Sequence, residues 1–301
     1  MKSTLSLLVL FAMLVNVVVP VLGHTYMTNL SIDGTKLAEN KCIVKPWSNE
    51  NFPEVDATKD TMRCRSASTT LNGEFCTVAA GSTISVHMHE SGPDDRPISE
   101  SHRGPVLAYM ALADTNGEGE VWFKIFEDGY DSSSNVWGVD TFIKNNGKID
   151  LVIPADIVPG NYLVRSEIIA LHEGNRVYGA DKDSGAQFYP SCALITVTGT
   201  GTATPKMYAI PGIYDKNDPG VLYDLWDDKP YVIPGPPVYV AGKAPAAAKV
   251  PPVQSQPTSS VQEPTPTPTP GLPKSKPCVR KRSNGRRNKV HARRIKAHQE
   301  M

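Results

Sequence analysis

Of the seven histidines in this chain of 301 residues, His24 is placed where metal chemistry would begin once a leader is removed. Lys2 supplies a positive charge, Leu5 to Val21 is almost wholly apolar, and Val21-Leu22-Gly23 puts small residues at the minus-three and minus-one positions. This is the pattern of a secretory signal peptide. Cleavage after Gly23 leaves His24 with a free α-amino group beside its imidazole, and amine and ring together chelate one metal ion. A third nitrogen from another histidine completes a T-shaped set. Nitrogen ligation of that geometry suits Cu(II), which the affinity order of the divalent metals also favours. His87, His89, His102 and His172 are the other histidines ahead of the basic tail. Taken singly, each reads equally as an ordinary surface or hydrogen-bonded core residue.

Such ligands need a rigid frame. Segments rich in β-branched and aromatic residues run from Ile84 to His89, Val106 to Leu112, Val121 to Phe126, Ile149 to Ile153, Tyr162 to Leu171 and Ala193 to Thr198, separated by Gly, Pro, Asn and Asp. They read as short strands. No long window keeps a helical period. The spacing predicts an all-β fold: an antiparallel, immunoglobulin-like or fibronectin-like β-sandwich with long loops, followed by a disordered tail. Function in such a frame is carried by the loops.

Composition divides the chain into a signal peptide at 1–23, one β-sandwich domain at 24–242, a Pro/Thr/Ala-rich linker at 243–277 and a basic tail at 278–301. The domain is long enough to bury a real core. The linker, with its run of alternating Thr and Pro from Thr265 to Pro270, lacks the apolar groups that offset ordering entropy and is expected to be extended and O-glycosylated. The 31 basic and 31 acidic residues cancel over the chain, but nine Lys and Arg fall between Arg280 and Lys296 with only Glu300 opposing. The domain is therefore acidic and the tail basic, a solvated segment or one that meets anionic polymers. No apolar stretch after the leader is long enough to span a bilayer, and no partner of nucleic-acid type is expected. Of five cysteines, Cys278 lies in the tail, and Cys42, Cys64, Cys76 and Cys192 allow three pairings.

Read in order, His24-Thr25-Tyr26, Ser101-His102-Arg103-Gly104-Pro105-Val106, the run from Tyr162 to His172, and Gly185-Ala186-Gln187-Phe188-Tyr189-Pro190-Ser191-Cys192 form a specific series. With Asp218-Pro219-Gly220 and the segment from Ile233 to Pro237, they resemble the fungal cellulose-active lytic polysaccharide monooxygenases, auxiliary-activity family nine, formerly glycoside hydrolase family sixty-one. The linker and tail lie outside the resemblance, and no cellulose-binding module follows the linker. Ser166 departs from the more usual alanine or histidine, without touching a metal ligand.

The resemblance implies a secreted, extracellular and monomeric enzyme with one copper ion, using molecular oxygen or hydrogen peroxide and an external electron donor, either a small phenol or a redox protein. The substrate it implies is cellulose or a related β-glucan, hydroxylated at C1 or C4. It makes His24 and His102 the histidine brace, Tyr189 the axial group near the metal, and His172 with Gln187 the pair that hydrogen-bonds the oxygen species. No pair of catalytic carboxylates is required, unlike in a hydrolase. Trp226 aligns with a surface tyrosine of the family that stacks on sugar. Tyr26, Ser101 and Glu173 are further candidates for contact with glucan. The resemblance pairs Cys64 with Cys192, which leaves Cys42 with Cys76. Asn29-Leu30-Ser31 is a glycosylation sequon close to His24. Two rival readings are a copper-binding cell-wall or metal-handling protein without oxygenase activity, and a glycan-binding module without metal.

Overall fold

The computed structural model describes residues 23–45, 51–66, 71, 73–182, 184–227 and 229–242. The expected signal peptide up to residue 22, the expected linker and basic tail, and Cys278 lie outside the described residues.

Four strands form one sheet in the order β2 (Thr35–Lys36), β1 (Tyr26–Ile32), β4 (Thr83–His89), β9 (Lys148–Val152). Six form the other: β12 (Tyr208–Ala209), β6 (Glu120–Asp128), β5 (Val106–Leu112), β10 (Gly160–Ala170), β11 (Gln187–Thr198), β3 (Cys76–Ala79). A hairpin of β7 (Tyr130–Asp131) and β8 (Val136–Trp137) leads into the helix α1 (Gly138–Lys144). The expected sandwich is present. Among the described strands it departs from antiparallel pairing where β11 runs parallel to β3, and the isolated bridge of Ile157 with Ala203 is parallel as well.

Side chains alternate along each strand, so one face of every strand enters the space between the sheets. Met27 and Leu30 of β1 and Val86 and Met88 of β4 pack there against Ala108 and Met110 of β5 and Val164 of β10. The opposite face of the six-stranded sheet is buried as well. Leu107, Tyr109, Leu163, Ile169 and Phe188 lie under the segments around Met62 and from Ile210 to Tyr223. This second layer explains why β5 and β10 read as nearly continuous apolar runs.

Two buried cations fasten the covering segments. Arg165 donates to the carbonyl of Met62 at 2.8 Å and to Glu167 at 2.5 and 2.8 Å, and Tyr214 donates to the same carboxylate at 2.6 Å. Lys124 donates to the carbonyl of Pro234 at 2.9 Å and pairs with Glu127 at 2.8 Å. Each buried charge thus has a partner and hydrogen bonds, as burial requires. Disulfides join Cys64 to Cys192 and Cys42 to Cys76, so the first pins the loop at Cys64 to β11. Among the described residues no helix is long and apolar enough to cross a membrane.

Candidate active site

The site forms where four strand ends meet. Thr25 leads His24 into β1, the loop from Glu90 to Pro105 delivers His102 to the start of β5, β10 ends just before His172, and β11 begins at Gln187. Pairing of β10 with β11 sets Ala170 opposite Gln187 and Ile168 opposite Tyr189, so His172 emerges beside both. Backbone bonds fix the second histidine: Leu171 N–H donates to the Arg103 carbonyl at 2.8 Å, and His102 N–H to that of Ser99 at 3.0 Å. Gly104 is needed by close approach, because a β-carbon there would run into the carbonyl of Ile169.

The His24 and His102 rings lie 5.9 Å apart, edge to face at 80°, and Tyr189 lies 5.8 Å from the first and 5.9 Å from the second. His172 packs on His102 at 4.3 Å. Ser101 Oγ contacts His102 Nδ1 at 3.2 Å, while His102 Nε2 is buried with no hydrogen-bond partner. One ring nitrogen is therefore held from behind and the other is presented, the arrangement typical of a metal-ligating histidine. A β-carbon on Gly23 would fall 2.9 Å from His102 Cε1 and 3.6 Å from Nε2. The peptide that joins Gly23 to His24 thus lies against the presented ring edge, where a liberated amine would also lie.

Electrostatics keep these rings neutral, the form that binds metal. Burial, then His172 and His24, pushes His102 down to about 3. Burial, then Arg65 and His172, lowers His24, and burial lowers His172 against the opposing charge of Glu173. Burial drives the Tyr189 phenol well above its ordinary range, so it stays protonated, and it donates to Gln187 Oε1 at 2.6 Å. Among the described residues no three His, Cys, Asp or Glu side chains are grouped to hold a metal ion.

His24, His102, His172, Gln187 and Tyr189 are therefore brought together. His87 and His89 are not, since they stay on β4 bonded to Ser31 and Thr28 at 2.8 and 2.9 Å. Trp226 is 89% exposed and borders a cavity shared with Ser101 and His172. Glu173 is partly exposed and accepts from Arg176 at 3.0 Å. Tyr26 must be corrected as a sugar contact: it is 5% exposed, and its hydroxyl donates inward to the Ser91 carbonyl at 3.2 Å. As the second residue after His24 it enters β1 at once, and its side chain falls on the buried side. Asn29 of the sequon is also buried, donating to the Leu37 carbonyl at 3.0 Å, so the folded domain presents no acceptor there.

Two neighbours escape the sequence. Phe52 is 54% exposed with its ring 4.9 Å from that of His24, held in place by Glu54, which exchanges backbone hydrogen bonds of 2.8 Å with Phe188. Arg65 is buried close enough to act electrostatically on His24 and Tyr189. An apolar ring in the polar stretch Asn49-Glu50-Asn51-Phe52 was the only available signal for the first. Arg65 gave none.

The sequence profile of Auxiliary Activity family 9 (formerly GH61) matches residues 24–232. The chain belongs to Auxiliary Activity family 9. Its similarity to curated members is broad. It is 37% identical over 241 residues to AA9 family lytic polysaccharide monooxygenase B of Thermothielavioides terrestris, covering 75% of this chain and 71% of that one. It is 36% identical over 268 residues to AA9 family lytic polysaccharide monooxygenase AA9-X282 of Trametes coccinea, covering 84% and 93%. Among solved structures, CvAA9A superposes with a TM-score of 0.67 at 32% identity, over 72% of this chain and 98% of the other. A cellulose-active polysaccharide monooxygenase from M. thermophila superposes with a TM-score of 0.58 at 29% identity, over 72% and 99%. As a family 9 member the chain is a copper-dependent lytic polysaccharide monooxygenase, an enzyme of oxidative polysaccharide cleavage.

Proposed function

We propose that the mature protein begins at His24 and binds one copper ion through the His24 amine, the His24 ring and His102 Nε2, and that it cleaves cellulose or a related β-1,4-glucan by hydroxylation at C1 or C4. The observation that carries this reading is the buried, unpartnered His102 Nε2 facing the start of a domain whose first residue is itself a histidine. The donor set suits the metal, being neutral imidazoles with room for one amine. When bound, copper supplies the one-electron chemistry by which oxygen or peroxide attacks a sugar C–H bond, with electrons from an external reductant such as a small phenol or a redox protein.

The chain's own residues do the rest. Tyr189 presents a protonated phenol beside the rings of His24 and His102 that would hold the metal, and its bond to Gln187 Oε1 uses the amide's acceptor. The amide NH₂ remains to donate to the oxygen co-substrate, and His172 flanks the same space with its Nδ1 buried and unpartnered. Ser101 holds the His102 ring in orientation. Trp226 and Phe52 offer exposed rings to a glucan chain, and Glu173 and Ser101 offer hydrogen-bonding groups. A structural neighbour active on cellulose supports that choice of polymer.

On this reading residues 1–23 direct secretion, 24–242 are the catalytic domain, 243–277 a linker and 278–301 a basic tail acting outside the cell. The test is mass spectrometry of products from amorphous cellulose treated with mature protein, copper, ascorbate and peroxide. Oxidised oligosaccharides are expected. Their absence from protein that has bound copper would favour a metal-binding protein without oxygenase activity.

A further inference from the structure

Four Lys or Arg residues among those described are buried: Arg63, Arg65, Lys124 and Arg165. Arg63, Lys124 and Arg165 pair with Glu118, Glu127 and Glu167 at 3.0, 2.8 and 2.5 Å and tie segments of the fold together. Arg65 lies at the flank of the site, and no step of the proposed cleavage uses it. Its position is fixed from two directions. Cys64 is joined to Cys192 of β11, with 5.1 Å between α-carbons, and Tyr189 lies three residues before Cys192 on that strand. Arg65 N–H donates to the Thr61 carbonyl at 2.8 Å, the Thr61 hydroxyl donates to Glu54, and Glu54 exchanges backbone bonds of 2.8 Å with Phe188, next to Tyr189.

The backbone of Arg65 is left-handed, at φ 48°, a region that long side chains rarely adopt, and only 6% of the residue is exposed. Strain of this kind persists where the surrounding structure demands one particular position. The charge held there reaches the site. After burial, Arg65 is the largest influence lowering the His24 ring, and it opposes the upward push of burial on the Tyr189 phenol. Glu54 acts on Arg65 but is not among the charges felt at either ring. Its carboxylate accepts from the N–H groups of Val55 and Asp56 at 3.1 and 3.3 Å. His24 and Tyr189 therefore sit in the field of a fixed cation, in an interior where water screens little.

We propose that the buried charge of Arg65, held beside β11 at the flank of His24, raises the Cu(II)/Cu(I) reduction potential of the site, so that a donor as weak as a small phenol can supply the electron. The proposal rests on the reading of His24 and His102 as copper ligands and adds the residue that tunes them. A fixed cation disfavours Cu(II), with two charges, more than Cu(I), with one. It therefore raises the ratio of Cu(I) to Cu(II) affinity. The electron comes from the phenol, which is oxidised by one electron and loses one proton; no group of the chain changes its own redox state.

The test measures Cu(II) and Cu(I) affinities of the mature protein by competition with chelators, and records the electron paramagnetic resonance spectrum of the Cu(II) form. In Arg65→Met the ratio of Cu(I) to Cu(II) affinity is expected to fall ~10-fold, which is about 59 mV for one electron. That is the order of effect of one unit charge over about 10 Å at an effective dielectric of about 20. Arg65→Lys should keep most of the natural ratio, and Glu54→Gln all of it. The resonance spectrum should stay the same in every variant, because charge changes and coordination does not. Should Arg65→Met fail to fold, Glu54→Gln combined with Arg65→Met removes both charges, leaves no carboxylate unopposed, and is expected to show the same fall. An unchanged ratio without Arg65 overturns the proposal. So does an equal fall in Arg65→Lys or Glu54→Gln, which would make the effect one of loop position. If the natural protein has no tight copper site, the reading of His24 and His102 as ligands fails, and this proposal with it.

Discussion

Tyr189 and Gln187 sit two residues apart on β11 with their side chains on the same side of the strand, so one hydrogen bond links the phenol to the amide beside the histidine rings. Replacing Gln187 with Ala removes the phenol's acceptor and, on the proposed function, the donor to the oxygen co-substrate, while leaving His24 and His102 untouched. Initial rates of oxidised-product release are expected to fall ~10- to 100-fold, the usual cost of losing an outer partner of a metal site, with copper affinity little changed in calorimetry. A variant at full rate would remove Gln187 from the mechanism. The closeness of His24 and His102 could be expected from sequence because an expected cleavage point and a motif each mark a position in one dimension. That of Phe52 and Arg65 could not, since both reach the site from a loop whose path depends on the pairing of Glu54 with Phe188. Tyr26 was misread for a related reason: proximity to His24 in sequence says nothing about which side of β1 it faces.

Strands β1 and β4 hold the layer that positions His24, and their contact contains an acid-sensitive group. His87 on β4 meets Ser31 on β1 at 2.8 Å, and burial, followed by the charges of Lys36, His89 and Lys148 against Asp150, pushes its pKa down to about 4. The unfolded chain takes up this proton near pH 6.5. The stabilisation is therefore complete above pH 6.5 and is lost as pH falls from 6.5 toward 4. Thermal melts should show a shallower decline over that window in His87→Gln than in the natural protein; identical slopes would show that His87 contributes nothing. The disulfides act on the same scale. Cys64–Cys192 closes 128 residues and Cys42–Cys76 closes 34. Replacing the first pair with Ser should cost about 2–5 kcal/mol in urea unfolding, and more than replacing the second. A smaller loss for the longer link would argue against this loop-entropy account.

The strands of the core were legible because β-branched runs between turn residues survive any packing. The helix α1 was not, being only seven residues, too short to display a period, and held by Asp140 accepting from the Trp137 N–H at 2.9 Å. β1 was missed because Thr28, Asn29 and Ser31 read as surface residues although all three are buried.

For the molecule as a whole, the sandwich gathers side chains at the ends of β1, β5, β10 and β11, and on the proposed function the chemistry is completed only when the chain is cut before His24. Before cleavage the nitrogen of His24 is a non-basic amide, and Gly23 occupies the space against His102. After cleavage that nitrogen is an amine beside two neutral imidazoles. Copper titration, followed by calorimetry, of protein beginning at His24 and of protein retaining Gly23 therefore tests the account most directly. Tight one-to-one binding is expected only in the first, with affinity lower by orders of magnitude in the second. Equal affinity in the two proteins would contradict it.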